Sequence, residues 1–557
     1  RTSFSYDQSG DDTNSGHGTH VAGTLIGDGT GDSSAAGFIS GALLHMYALE
    51  YDISGSIAKT GSTYDIMRDS RIQGARIGVN AWGTSSDLGQ YNLESRSLDV
   101  FANDYPDYIP VFAVGEDPMQ GSNAVAPPST AKNVFSFGAS DGSAVANFSA
   151  HGPVLDGRIK PDLVAPGVNI CSTRAEEARY PAGNACASGL HANGDPLYMS
   201  ISGTSPATAV GAAGAALMRQ FLREEAGIVG PSADLVKAAL INGAQDLGAA
   251  DIPNPSEGWG QIDLDRSMYP ADGALSTWYD NTKTLDPGYG FLYNYDLDMS
   301  QGIDITLVWT DAAGSSTAPQ SQSRIVNNLN LQLISPDGTV IYHGNNFVSG
   351  ASVSGGSADT VNNVERIHIP SGVGTINGQW TVKISHLGGS TQQFAIVVTG
   401  NGTSTPGTDL AVISESIWLS QSVPLVNDEI SLRLSWVNQA PVSASSYRVL
   451  LEDLTTSDVL LNQTKTGGLD GGKIESVSIY HTFTQTGEHH LRLTLDADDD
   501  INEINDANSG VDNNIGDLIV NVSAMGLRII PLMSDGSEPS TPSENSQASL
   551  IDFNASA

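Results

Sequence analysis

Two short strings in this 557-residue chain hold side chains whose types could do chemistry together. Residues 17–23 read His-Gly-Thr-His-Val-Ala-Gly, and residues 202–205 read Ser-Gly-Thr-Ser. A serine hydroxyl is a weak nucleophile near neutral pH. An imidazole within reach can take its proton and later hand it to a leaving amine. His17 and Ser205 suit those two roles. Gly16 and Gly18 flank His17 and Gly203 stands two residues before Ser205, and a helix starting just after each reactive residue would aim free backbone N–H groups at the reaction centre. The run 206–219, Pro-Ala-Thr-Ala-Val-Gly-Ala-Ala-Gly-Ala-Ala-Leu-Met-Arg, is small and apolar on every side, which predicts a helix buried through the middle of a domain. Pro206 fits its first turn. His20 stands three residues into the other predicted helix and is read as a packed structural histidine; His45, His151 and His191 lie in no motif.

The two strings together resemble the histidine and serine blocks of the subtilisin-like serine proteases, the subtilases of peptidase family S8. Further stretches follow in the order that family has them. Residues 75–83 read as a strand ending in a turn, and the resemblance implies that Ala81, Trp82 and Gly83 line the substrate pocket, with Ala113 and Gly115 from the next strand, 109–115. The strings Asn147-Phe-Ser-Ala-His-Gly-Pro, Lys160-Pro-Asp-Leu-Val-Ala-Pro-Gly and Gly258-Trp-Gly-Gln-Ile-Asp extend the likeness. The nearest branch is that of the alkaline subtilases with a C-terminal β-barrel, and the resemblance covers about residues 1–400.

Two departures matter. The family carries an asparagine after the strand 109–115, whose amide helps hold the oxyanion; here the residue is Glu116. A carboxylate there would repel the developing charge, whereas a neutral acid could donate a hydrogen bond. Three outcomes stay open: Glu116 neutral, with activity rising toward acid; Glu116 turned away, with the Ser205 N–H acting alone; or a weak enzyme. The second departure is the catalytic aspartate, which subtilases carry roughly thirty residues before the histidine. Only sixteen residues precede His17. Asp7, Asp11 and Asp12 stand too close to it, in a polar stretch read as a solvated loop. The expectation is a fragment of a longer precursor, impaired as it stands.

Stepping outward from the chemistry, the alternation of strands and helices up to about residue 268 predicts an α/β fold, a subtilisin-like parallel sheet with helices on both faces. The segment 231–247 reads as an amphipathic helix closing this unit. Beyond it the chain reads as strands only, 303–310, 329–335, 340–343, 379–385 and 394–399, giving a β-sandwich or jelly roll over 269–402. Val326-Asn-Asn-Leu-Asn-Leu and Asn362-Asn-Val-Glu resemble the β-barrel of the same branch. A Gly/Thr/Ser/Pro linker, 400–407, opens a second all-β sandwich over 408–523. Its strands 430–436, 447–451 and 487–495 resemble the bacterial cell-adhesion-related immunoglobulin-like domain. Residues 524–557 read as a linker or the start of a further domain.

The chain carries 25 Lys and Arg against 62 Asp and Glu, a formal net charge of −37. Such an excess repels phosphate backbones and argues against nucleic-acid partners. No apolar stretch is long enough to span a bilayer as a helix. The two cysteines, Cys171 and Cys186, favour one disulfide in a secreted protein, contributing about 3 kcal/mol in the loop-entropy picture. The chemistry needs no cofactor; structural calcium is left open at Asp311, Asn328 or Asn330 and at the acidic turn holding Asp496, Asp498, Asp499 and Asp500. The expected partners are protein or peptide substrates, with cell-surface association through the β domains. The leading function is a secreted serine endopeptidase working through an acyl-enzyme, attenuated or acid-shifted by Glu116. The alternative is a catalytically weak subtilase-shaped binding or adhesion protein.

Overall fold

Four strands, Ile77–Asn80, Ile109–Ala113, Phe135–Ser140 and Leu163–Pro166, pair in that order, all in parallel. Their side chains are apolar in both directions because helices cover both faces. On one face Ile109, Val111, Phe137, Leu163 and Ala165 pack with the alanines of α4 (Thr204–Glu224). On the other, Phe112 joins Met67 of α2 (Thr63–Ile72) and Leu98 and Phe101 of α3 (Leu93–Asp104). The expected α/β sheet with helices on both faces is therefore present. A computed structural model describes residues 2–6, 12–51, 56–57, 59, 61–117, 119, 121–179, 183–248, 251–503 and 513–524. Asp7, Asp11 and residues 525–557 lie outside the described residues.

The run read as a buried helix is α4, in which Pro206 and every residue from Ala207 to Ala215 are buried. α1 (His17–Ile26) packs against it and against the strand Ile170–Thr173. The approach to the strand is close at Gly23, where a side chain would strike Thr173. That strand pairs antiparallel with Tyr198–Ile201, which leads straight into Ser202–Ser205, and the pair is strapped by the Cys171–Cys186 disulfide.

α5 (Ala233–Asn242) departs from the expected amphipathic helix: all ten of its residues are buried. α4 covers one side and the strands Ile303–Val308 and Ala395–Gly400 of the next unit cover the other. Asn242 is satisfied across that boundary, its Nδ2 donating to Thr399 Oγ1 at 2.8 Å and its Oδ1 accepting from Thr306 Oγ1 at 2.9 Å, while Lys237 pairs within its own unit with Asp162 at 2.7 Å.

The next unit is a two-sheet β-sandwich. A four-stranded sheet (Ser276–Asp280, Ala395–Gly400, Ile303–Val308, Val364–Ile369) faces a six-stranded one containing Asn328–Ile334, Gly378–Gly388 and Gly290–Leu297. Leu329, Leu331 and Leu333 alternate into the shared core with Trp380, Val382 and Ile384. Part of the segment expected as a linker is instead structure: Gly402–Ser404 pairs with Gly290–Leu297 at the sheet edge. Its glycine permits this, since a Cβ at Gly402 would collide with the Asp296 carbonyl.

The third unit is a second sandwich, of three strands (Leu410–Leu419, Glu429–Asn438, Ile474–Thr482) and four (Asp458–Lys465, Tyr447–Asp453, Gly487–Thr494, Ile515–Val522). Leu432, Leu434 and Trp436 meet Val449, Leu451, Leu491 and Leu493 in its core, and Trp436 Nε1 donates to the Tyr447 hydroxyl at 2.8 Å. Among the described residues no helix is long and apolar enough to cross a membrane.

Candidate active site

His17 is the first residue of α1 and Ser205 the second of α4, so both side chains stand in a helical first turn, where backbone N–H groups are free. Gly16, immediately before His17, turns the chain into the helix with φ +74, a left-handed conformation that favours glycine. Burial pushes the His17 imidazole below its ordinary pKa, and the neighbouring Asp12 carboxylate pushes it back up. Ser205 Oγ donates to the carbonyl of Ala81 at 3.2 Å. Among the described residues no hydrogen bond joins His17 to Ser205. Such contacts are often long before a substrate closes them.

His20 is a packed histidine, as read from the sequence. It is 1 % exposed, and its Nε2 lies 3.0 Å from the Ile170 carbonyl. Burial lowers its pKa to about 4, against a smaller upward pull from that carbonyl.

Glu116 is exposed, and its carboxylate is turned toward the start of α4, accepting from the Thr204 N–H at 3.3 Å. Oε1 also lies close against Gly203, 2.7 Å from where a Cβ would stand. The carboxylate is therefore seated at the helix N-terminus that precedes Ser205, where free N–H groups attract an anion.

The residues expected to bind substrate divide. Gly83 and Gly115 approach the same residue: a Cβ on either would stand 3.1 or 3.0 Å from the Ala126 methyl, so the two strand ends and Ala126 form one narrow-walled corner. Ala81 meets Ser205, as described, and Ala113 is a buried strand end. Trp82 turns into the core instead. Its ring packs edge-on to Phe112 at 5.6 Å, with the Lys59 ammonium 5.4 Å from the ring centre.

Asp12 is the contact that sequence reasoning missed. It is half-buried, and its Oδ2 accepts from the Thr19 N–H at 2.7 Å while its own N–H donates to Glu177. An acidic residue a few positions before a helix-opening histidine is the signal that could have found it.

Asp311, read as open to calcium, is held by a lysine: Lys132 Nζ stands 2.5 Å from its Oδ2, with both side chains fully buried. Asp498 pairs with Arg448, and Asp496 accepts from the Ile501 N–H, so the acidic turn is organised from within the chain. A different group converges: ligand oxygens of Asp246, Asp251 and Glu257 lie within 4.8 Å of one another. Glu257 is buried, and Oδ1 of Asp246 is a buried acceptor with no partner among the described residues. Oxygen donors of this kind suit a hard cation.

Comparison with known proteins accords with this geometry. Residues 1–260 match the Subtilase family, and residues 407–513, beyond the first sandwich, match CARDB. Among curated proteins, the chain is 28% identical over 498 residues to the serine protease/ABC transporter B family protein tagA of Dictyostelium discoideum, covering 70% of this chain and 28% of that protein. It is 30% identical over 224 residues to the serine protease AprX of Bacillus subtilis, covering 37% of this chain and 48% of that one. The chain thus spans well under two thirds of either relative's length. Among solved structures, the psychrophilic subtilisin-like protease Apa1 of Pseudoalteromonas sp. AS-11 aligns with a TM-score of 0.38 at 16% identity, over 49% of this chain and 89% of that one.

Proposed function

We propose that this chain hydrolyses peptide bonds as a secreted serine endopeptidase. Ser205 Oγ attacks the scissile carbonyl to form an acyl-enzyme, and His17 takes the hydroxyl proton and returns it to the leaving amine. The observation that carries this reading is the position of Ser205. It stands in the first turn of a buried helix, where backbone N–H groups are free, with its hydroxyl directed at the backbone of Ala81. The corner made by Gly83, Gly115 and Ala126, near the buried Ala113, is the proposed side-chain pocket, small-walled and apolar, which favours cleavage after hydrophobic residues.

Glu116 attenuates this reaction. Its carboxylate already accepts from the Thr204 N–H, so an oxyanion forming at the same helix end meets a like charge. A side chain able to donate a hydrogen bond at this position would remove that repulsion. The same seating of Glu116 favours the second reading, a subtilase-shaped protein used for binding or adhesion with little turnover.

The organisation proposed for this function is a catalytic unit over 1–268, a bracing sandwich over 269–402 and an immunoglobulin-like unit over 408–523 available for cell-surface association. Secretion is supported by the Cys171–Cys186 disulfide, a bond that persists in oxidising compartments. Structural calcium is proposed at Asp246, Asp251 and Glu257.

A fluorophosphonate probe, which reacts with activated serines, tests the reading directly. Labelling of Ser205 at acidic or neutral pH, lost in Ser205→Ala, is the expected result, and the same assay with EDTA after mild heating reads the calcium site through lost labelling. Inertness across the whole pH range would favour the binding protein.

A further inference from the structure

Asp12 sits against the turn of helix that begins with His17. Its Oδ2 accepts from the Thr19 N–H at 2.7 Å and lies 3.5 Å from where a Cβ on Gly18 would stand, so the carboxylate lies against the two residues that follow His17 in α1. The contact is itself held in place, because the Asp12 N–H donates to Glu177 Oε1 at 3.1 Å and the Arg179 N–H donates to the Thr13 carbonyl at 3.1 Å. On the other side of Gly16 stand Ala175 and Ala178 of the same 174–179 segment. The residues just before His17 are thereby clamped.

We infer that Asp12 is a positioning residue for His17, fixing the first turn of α1 through its hydrogen bond and standing as the negative charge beside the imidazole. This rests on the reading of His17 as the base. When Ser205 Oγ bonds to the substrate carbonyl carbon, its proton moves to His17 and the imidazole becomes a cation. A carboxylate beside the ring stabilises that cation, and the capped turn keeps the ring where the proton arrives.

Among the described residues few other charges compete for the ring. The strand Ile170–Thr173 carries none, and α4 carries none before Arg219. His20, one turn along α1, is neutral over most of the pH range. The strand Leu44–Ala48 brings His45. In the 174–179 segment Arg174 pairs with Asp195, Glu176 faces His191, Glu177 holds Asp12, and Arg179 completes the set. Glu116 is engaged at the start of α4.

The test follows the His17 ring itself by NMR in histidine-labelled full chain, its resonance assigned by loss in His17→Gln, together with fluorophosphonate labelling of Ser205 against pH. Asparagine caps a helix as well as aspartate does, so Asp12→Asn removes the charge and keeps the hydrogen bond, whereas Asp12→Ala removes both. The expected result is a His17 titration midpoint lowered by about half a pH unit or more in both variants, with unchanged melting temperature in Asp12→Asn. Labelling should fall several-fold further in Asp12→Ala. Coincident His17 titrations in all three proteins would overturn the inference, as would a loss confined to Asp12→Ala. Because the titration needs no turnover, it decides the inference even if the probe never labels Ser205, a result that counts against the peptidase reading alone.

Discussion

A carboxylate at the N-terminus of a helix ordinarily stabilises it, by about 0.3–1 kcal/mol. At Glu116 the same contact stands where a reaction would have to develop negative charge. The catalytic consequence is the larger one: in subtilisin, losing a single side-chain donor at this position costs about 2.7–4 kcal/mol of transition-state stabilisation. Glu116→Gln should therefore raise the rate of probe labelling at neutral pH by about tenfold or more, because it replaces an acceptor that competes with the oxyanion by an amide able to donate. No gain in Glu116→Gln would mean that the side chain swings clear when substrate binds. The change should destabilise α4 only slightly, since Thr204 loses one long hydrogen bond at a solvent-facing helix end.

At the scale of elements, α1 and α4 share a design: each opens with a reactive side chain and each has an acid from outside the helix on a first-turn N–H, Asp12 on Thr19 and Glu116 on Thr204. α1 is also anchored by His20, whose neutral ring is buried against Ile170. Its folded pKa of about 4 lies below the ordinary histidine value of 6.5, so the unfolded chain binds the extra proton first. Because burial disfavours the charged ring, stability is unaffected by this group above pH 6.5 and falls progressively as pH drops from 6.5 toward 4, by up to about 3 kcal/mol. Denaturant unfolding of His20→Gln should show a flatter dependence in that window than the parent chain. Sequence reading found α4 because an all-round small, apolar string has no reading other than a buried helix. It misread α5 as amphipathic because Asp234, Lys237 and Asn242 look like a solvent face, and only a neighbouring unit some sixty residues away in the chain supplies Thr306 as a partner. The histidine and serine strings were legible as motifs, whereas the seating of Glu116 and Asp12 was not, since both depend on how loops fold back onto helix ends.

At the scale of the whole molecule, the first two units are joined by polar contacts buried as deeply as any core. Lys132 Nζ meets Asp311 Oδ2 and the carbonyls of Ala312 and Arg324, while Asn133 and Asn363 bond across the same boundary. A buried charge left without its partner is costly, so Lys132→Ala should lower the stability of both units together by about 3–5 kcal/mol. Calorimetry should register one transition moved downward. Two separated transitions, with only one of them displaced, would show that the units melt independently.

The burial of α5 on every side reaches beyond stability. A truncated product ending near residue 268 would bare to water the flank of a helix that the sandwich normally covers, including an Asn242 stripped of its hydroxyl partners. Anyone expressing the first unit by itself should expect inclusion bodies, and the smallest soluble piece that retains the candidate site should extend at least through Gly400, the end of the last strand that lies on α5.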